Sequence, residues 1–318
     1  MILKRMLLIV LVGCAFTSNV KAQFDAQFSQ YWISKNYYNP AAIGLSDELN
    51  LSAQFRQQWV GVENAPQSFV FNAEMPAFFL GKNQGIGLML FNENIGLYQN
   101  LNIGVQYAYS IKLFGGQLNL GLQPSVISSR FDGTKVHIPS GDDHNQVDPN
   151  IPTTEESGLT FDMSFGLFYH KSEYYLGLSY QHIFQPEVHL GEKYKTQIPG
   201  VCYILGGYNY QFPYSLLEVK PSFLFKTDFN FYQLDLNLLF MYNKRLFGGI
   251  GYRLNDAVNL CAGFNFGAIK VGYSYDIGLS KISRTSKGSH EIFATYSFPL
   301  DFKSGKLIQG RKRSVRFL

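Results

Sequence analysis

Alternation with a period of two residues runs through most of this chain and constrains its fold more than any other feature. In LNIGVQYAYSIKL, residues 101–113, Leu101, Ile103, Val105, Tyr107, Tyr109, Ile111 and Leu113 share one face, while Asn102, Gly104, Gln106, Ala108, Ser110 and Lys112 share the other. In YQLDLNLLFMYN, residues 232–243, Tyr232, Leu234, Leu236, Leu238, Phe240 and Tyr242 oppose Gln233, Asp235, Asn237 and Asn243. VGYSYDIGLS, residues 271–280, repeats the arrangement. Successive side chains of an extended strand point to opposite sides, so each stretch is a strand with one apolar and one polar face. The pattern predicts fourteen strands, over 49–58, 67–75, 84–93, 98–112, 116–129, 158–170, 173–183, 200–210, 215–226, 229–243, 245–253, 257–266, 269–279 and 289–298. No amphipathic helix interrupts them.

The chain is 46% hydrophobic, with 28 Phe and 21 Tyr, and only 16% charged, which is too little charge for an ordinary secreted domain. A large soluble all-β protein or a membrane barrel could carry that composition. The connections decide between them. The long ones, 130–157, 184–199 and 280–288, all follow odd-numbered strands; the even-numbered ones are mostly tight, as at Lys171-Ser172 and Asn243-Lys244. A soluble sandwich has no reason to sort loops by parity, whereas an up-and-down transmembrane β-barrel has short periplasmic turns and longer external loops. Strands of about ten residues match a tilted crossing of the hydrocarbon layer. With no water to satisfy a strand edge in lipid, the sheet must close, its apolar face turned outward. An even strand count puts both ends of the barrel on one side, the periplasmic one.

The start, MILKRMLLIVLVGCAFTSNVKAQF, has Lys4 and Arg5 before an apolar stretch too short to span a bilayer, then small residues up to Ala22. It reads as a secretory signal peptide over 1–22. Leu11-Val12-Gly13-Cys14 offers a second reading, a lipobox with Cys14 lipidated. Removal of residues 1–22, with three basic residues and no acid, takes the net charge from +4 to +1. Residues 299–318 carry six basic residues and one acid, so the body between is mildly acidic and the positive charge sits in a tail. Two remaining cysteines, Cys202 and Cys261, define no disulfide framework.

Candidate chemistry is sparse. Asp142, Asp143, His144 and Asp148 lie in the long polar loop but lack the spacing of a calcium loop. His170, His182 and His290, with Ser172, Ser179 and Ser289 nearby, raise the possibility of a lipid-cleaving Ser-His pair, which proximity in sequence does not establish. Gly248-Gly249-Ile250-Gly251 follows a hairpin turn rather than opening a helix, so it is no phosphate loop. Arg56, Glu74, Lys112, Asp235 and Asp276 fall on polar faces and can pair inside the barrel. Neither a cofactor nor a metal is expected.

FSQYWISKNYYNPAAIG, residues 28–44, resembles the opening signature of the PorP/SprF family of outer-membrane proteins, in Phe28, Ser29, Gln30, Tyr31, Asn39, Pro40 and Gly44. FRQQWVGVENAPQSF, residues 55–69, is similar to the family's next motif through Arg56, Gln58, Trp59, Gly61, Ala65 and Pro66. GIGLMLFNENIGLYQN (85–100) is similar to its third block, with Asn92 or Glu93 where Asp is common, and SHEIFATYSF (289–298) to its closing strand. The basic end, with Arg311, Lys312, Arg313, Arg316 and Phe317, is in character too. The resemblance implies a fourteen-stranded barrel without a catalytic site, working in type IX secretion and gliding. The implied partners are outer-membrane lipid, a periplasmic lipoprotein ring or an OmpA-like peptidoglycan-binding protein, and a cognate secreted adhesin. No nucleic acid is expected. Residues 23–48 are then a periplasmic plug or docking strip, against the plainer reading of an inert leader, and 299–318 a tail that docks an acidic face or anionic headgroups. A passive diffusion porin is the alternative function.

Overall fold

The structure is a computed structural model that describes residues 25–79, 82–136, 152–191, 194–281, 285–301 and 306–307. The expected signal peptide with Cys14, the acidic loop residues Asp142, Asp143, His144 and Asp148, and the tail residues Arg311, Lys312, Arg313 and Arg316 lie outside the described residues.

Among the described residues fourteen strands form the wall. They are β1 (Glu48–Gln57), β2 (Gln67–Phe79), β3 (Lys82–Ile95), β4 (Tyr98–Leu113), β5 (Gly116–Asp132), β6 (Glu155–His170), β7 (Tyr174–Gln181), β8 (Val201–Tyr208), β9 (Leu217–Thr227), β10 (Tyr232–Tyr242), β11 (Leu246–Arg253), β12 (Ala257–Phe266), β13 (Ile269–Gly278) and β14 (Ser289–Asp301). Each pairs antiparallel with the next, and β1 pairs with β14 from Glu48↔Pro299 to Gln57↔His290, so the sheet closes. Closure removes the free edges that lipid would not tolerate.

Burial is inverted relative to a protein folded in water. On β10, Gln233, Asp235 and Asn237 are buried while Tyr232, Leu236, Phe240 and Tyr242 are exposed. The same holds around the ring: Gln106, Asn119, Arg253 and Glu291 are almost wholly buried, whereas Val105 and Phe161 are 59% and 70% exposed. A soluble monomer rarely shows an apolar patch above roughly 300–600 Å². An apolar wall running round a closed barrel fits hydrocarbon as the outer solvent.

Long connections, 58–66, 133–154, 182–200 and 279–288, gather at one rim; short ones, 114–115, 171–173, 243–245 and 267–268, at the other. Glu48 and Asp301, the two ends of the barrel wall, lie at the short-turn rim.

Two local features differ from the sequence expectation. Residues 184–199 hold an antiparallel hairpin, Glu187–Leu190 with Tyr194–Gln197, whose Val188 and Leu190 pack with Ile127 and Ile198. Its strands are too short to register as alternation. Ahead of the barrel, where Asn39-Pro40 argues against helix, Lys35–Tyr38 make one helical turn. The restriction before proline acts on Asn39, which is extended, so it ends the turn without preventing it.

Candidate functional site

The interior is filled from the N-terminal side. Residues 25–44 contact inward side chains of strands around the whole ring, and Phe28, Tyr31, Tyr37 and Tyr38 share a buried cluster with Val70, Met89, Phe91, Phe168, Tyr203, Leu205 and Leu224. Trp32 and Ile33 pack on a second cluster of Leu239, Met241, Phe247, Cys261 and Phe293. The core of this protein is therefore one chain segment wrapped by its own barrel.

Ser29 sits at the centre of the polar contacts. Its backbone N–H donates to Glu291 Oε2 at 2.7 Å and that of Gln30 to Oε1 at 2.8 Å. The Ser29 hydroxyl donates to Asp276 Oδ2 at 2.6 Å and accepts from Arg56 at 2.9 Å and Arg253 at 3.0 Å. Arg56 pairs with Asp276 at 2.7 Å and Glu291 at 3.1 Å; Arg253 pairs with Asp235 at 3.2 Å and Asp276 at 3.3 Å. Gln27 donates to Asp235 at 3.0 Å. Buried ions on this scale persist only when paired and hydrogen-bonded. Two guanidiniums face these three buried carboxylates, Asp256 lies a further 3.4 Å from Arg253, and the Ser29 and Gln30 N–H groups, the Ser29 hydroxyl and the Gln27 and Gln54 amides supply the remaining donors.

A second anchor holds the start of the segment. His182 Nδ1 lies 2.6 Å from Asp162 Oδ2 and its Nε2 lies 3.2 Å from Asp25 Oδ1. Tyr203 donates to Asp25, and Lys226 donates to the Asp25 carbonyl at 3.1 Å. Burial opposes the Asp25 charge, but His182 and Lys226 hold its carboxyl below the usual range. Burial likewise opposes charge on His182, which Asp25 and Asp162 nevertheless raise to about 9.

The end of the segment is gripped by backbone. Asn39 Nδ2 donates to the carbonyls of Leu167 and Leu178 at 2.9 and 3.2 Å, bracing β6 and β7 together, while its Oδ1 accepts from Ala41 N. Asn119 donates to the carbonyls of Ala41 and Ile43. Gly44, at φ +66°, donates to Glu74 at 2.6 Å, and a methyl group there would lie 2.7 Å from Gly85 Cα. Only glycine permits both that backbone and that approach.

The residues singled out in the sequence therefore separate. Phe28, Ser29, Gln30, Tyr31, Asn39 and Pro40 are buried within the barrel, Gly44 is half-buried at their end, and Arg56 faces them from β1. Trp59, Gly61 and Pro66 lie in the 58–66 connection at the far rim, where Trp59 N donates to Ser289 and Val60 N to Gly288 O. These three are remote from the rim where the barrel ends lie. The lumen pairing expected of Arg56, Asp235 and Asp276 is present; Arg253, on the inward parity of FGGIGYR, is a partner that the sequence reading missed. The Ser-His candidates are occupied otherwise: Ser179 donates to Tyr38 O, His182 lies between two carboxylates, and His290 meets Tyr273 on the outer wall.

Comparison with known proteins agrees with the resemblance. Residues 20–296 match the family described as type IX secretion system membrane protein PorP/SprF. No curated protein matches the chain. Similar solved structures include the Ralstonia pickettii toluene transporter TbuX, at 12% identity over 82% of this chain and 92% of that one, TM-score 0.47. The Pseudomonas putida toluene transporter TodX follows at 9% identity over 84% and 93%, TM-score 0.47. A triple mutant of the Rhodopseudomonas blastica porin has 12% identity over 79% and 99%, TM-score 0.37.

Proposed function

We propose, from the premise that this chain belongs to the PorP/SprF family of type IX secretion system membrane proteins, that its outer-membrane barrel is a non-catalytic scaffold of the secretion machine. It holds a periplasmic lipoprotein ring or a peptidoglycan-linked protein at the short-turn rim, and it supports export or surface anchoring of a cognate secreted adhesin. In this reading both ends of the chain are periplasmic, residues 1–22 are a cleaved signal peptide, and residues 299–318 lend a basic tail to the same face.

One observation carries the reading: residues 25–44 occupy the bore and are bonded to β1, β2, β4 to β11, β13 and β14. A diffusion porin needs that space for solutes, so the occupied bore favours the scaffold over the porin. A plug so extensively bonded also gives the rim a fixed shape for partners to recognise.

The test is deletion of residues 25–44 in the full chain. The scaffold reading expects a barrel that still shifts on heating in SDS gels, lost capture of the periplasmic ring, and lost adhesin export. Unchanged capture and export on deletion refutes it. Large steady conductance of the intact protein in planar bilayers would restore the porin.

A further inference from the structure

Three ammonium groups converge in the half of the lumen nearest the short-turn rim. Lys35 comes from the helical turn, Lys220 from β9 and Lys270 from β13, the last two at inward positions of their strands. Lys220 pairs with Glu218 at 2.9 Å. Lys35 and Lys270 have no ion-pair partner among the described residues; they rest on rings instead, Lys35 Nζ 4.2 Å from the centre of Tyr175 and Lys270 Nζ 5.9 Å from that of Trp32. Burial, then repulsion from Lys270 and Lys220, pushes Lys35 down to about 8 in spite of Glu74. Such crowding of like charge in a protein whose body is acidic is a cost that an anionic occupant would remove.

Above these lysines is a cavity of about 730 Å³ lined by Lys220, Lys244, Lys270, Tyr208 and Asn265, with Glu173 and Glu218 as its acids. The turn residues on its margin, Ser172, Asn209 and Lys244, all belong to the short-turn rim. It therefore opens on the side that the proposed function assigns to partners.

We propose that this basin binds an extended, carboxylate-rich segment of a periplasmic partner protein. The inference rests on the scaffold reading above and names the chemistry of its contact. The chain's own tail lacks the matching charge: residues 299–318 carry six basic residues and one acid. Lipid headgroups border the outer wall, whereas Lys220 and Lys270 stand at inward positions of β9 and β13. A volume of this size takes a drug-sized ligand or several residues of extended chain, and the half-buried ammoniums supply positive charge among polar lining groups such as Asn209, Gln211 and Asn265.

The experiment uses the purified full chain in detergent with fluorescein-labelled hexaglutamate, read by anisotropy at low salt. Hexaglutamate should bind, and Lys35→Gln with Lys270→Gln should weaken it at least tenfold while the heat-dependent gel shift is kept. Replacing Arg311, Lys312, Arg313 and Arg316 by Gln should change affinity less than twofold. Should the double variant misfold, Lys270→Gln alone is expected to weaken binding about threefold. Equal affinity in the basin variants, loss of binding in the tail variant, equal binding of hexalysine, or displacement by stoichiometric inorganic phosphate would each overturn the proposal. Hexaglutamate binding is measured on the isolated barrel and partner capture in cells, so failure of this inference is distinguishable from failure of the scaffold reading.

Discussion

Gly121 of β5 and Ala41 of the luminal segment meet backbone to backbone: a methyl group on Gly121 would lie 2.5 Å from Ala41 Cα. Gly85 stands in the same relation to Ile43, whose carbonyl oxygen would be 2.8 Å from such a methyl. These inward glycines clear the space through which Asn39 to Gly44 run.

Gly121→Leu is therefore expected to evict the luminal segment while the barrel still forms. Limited proteolysis of the folded variant should cut within residues 25–44, which the native protein protects. Gly248→Ala, where the nearest atom is 3.5 Å away, is the matched control and should leave protection unchanged.

Arg56→Leu leaves Glu291 and Asp276 short of a cation at sites almost closed to water. Breaking one side of a buried ionic network costs about 3–5 kcal/mol. The unfolding midpoint in urea with lipid micelles should fall accordingly, and Arg253→Leu should act similarly through Asp235. Loss of both arginines should cost less than the sum of the single changes, because they share Ser29 and Asp276.

Asn39→Ala removes the side chain that ties β6 and β7 to the luminal segment, leaving the Leu167 and Leu178 carbonyls without that donor. A loss of about 1–3 kcal/mol per stranded group is expected. Asn39→Asp should be worse, since a carboxylate would replace the donor facing two carbonyls. Comparing the two midpoints checks this.

The anchor that His182 makes with Asp25 and Asp162 should be pH-dependent. The folded His182 pKa is raised from 6.5 to about 9, so its contribution is complete below the unfolded value and is lost as pH rises through about 9. Asp25, lowered, contributes above its unfolded value and loses that contribution as pH falls through its folded one. Hydrogen exchange over residues 25–31 should thus be slow at neutral pH and accelerate above about pH 9. His182→Phe should remove the alkaline step.

Much of the wall was legible in the sequence because alternation is a local property. Residues 257–266 are predicted and found as the same strand, and 98–112 differs from Tyr98–Leu113 by one residue. The ends predicted at 75 and 298 fall short of Phe79 and Asp301, where alternation fades near the rim and pairing with a neighbour takes over. The inward contacts were less legible. Nothing in QFDAQ or YQHIF says that His182 meets Asp25, and nothing near Arg253 says that it meets Ser29. Those partners are brought together by closure of the whole ring, which no window of sequence contains. The glycines at 85 and 121 read as ordinary strand punctuation until the segment they accommodate is placed.

The Ser29–Glu291 bond links the beginning of the described chain to the last barrel strand, 262 residues later. Glu291 and the seam partner of β1 lie on the same strand, so one strand supplies both the closure of the sheet and a clasp on the segment inside it. A chain truncated before residue 289 would lack the seam and that clasp at once, so sheet closure and the hold on the luminal segment depend on the same thirteen residues.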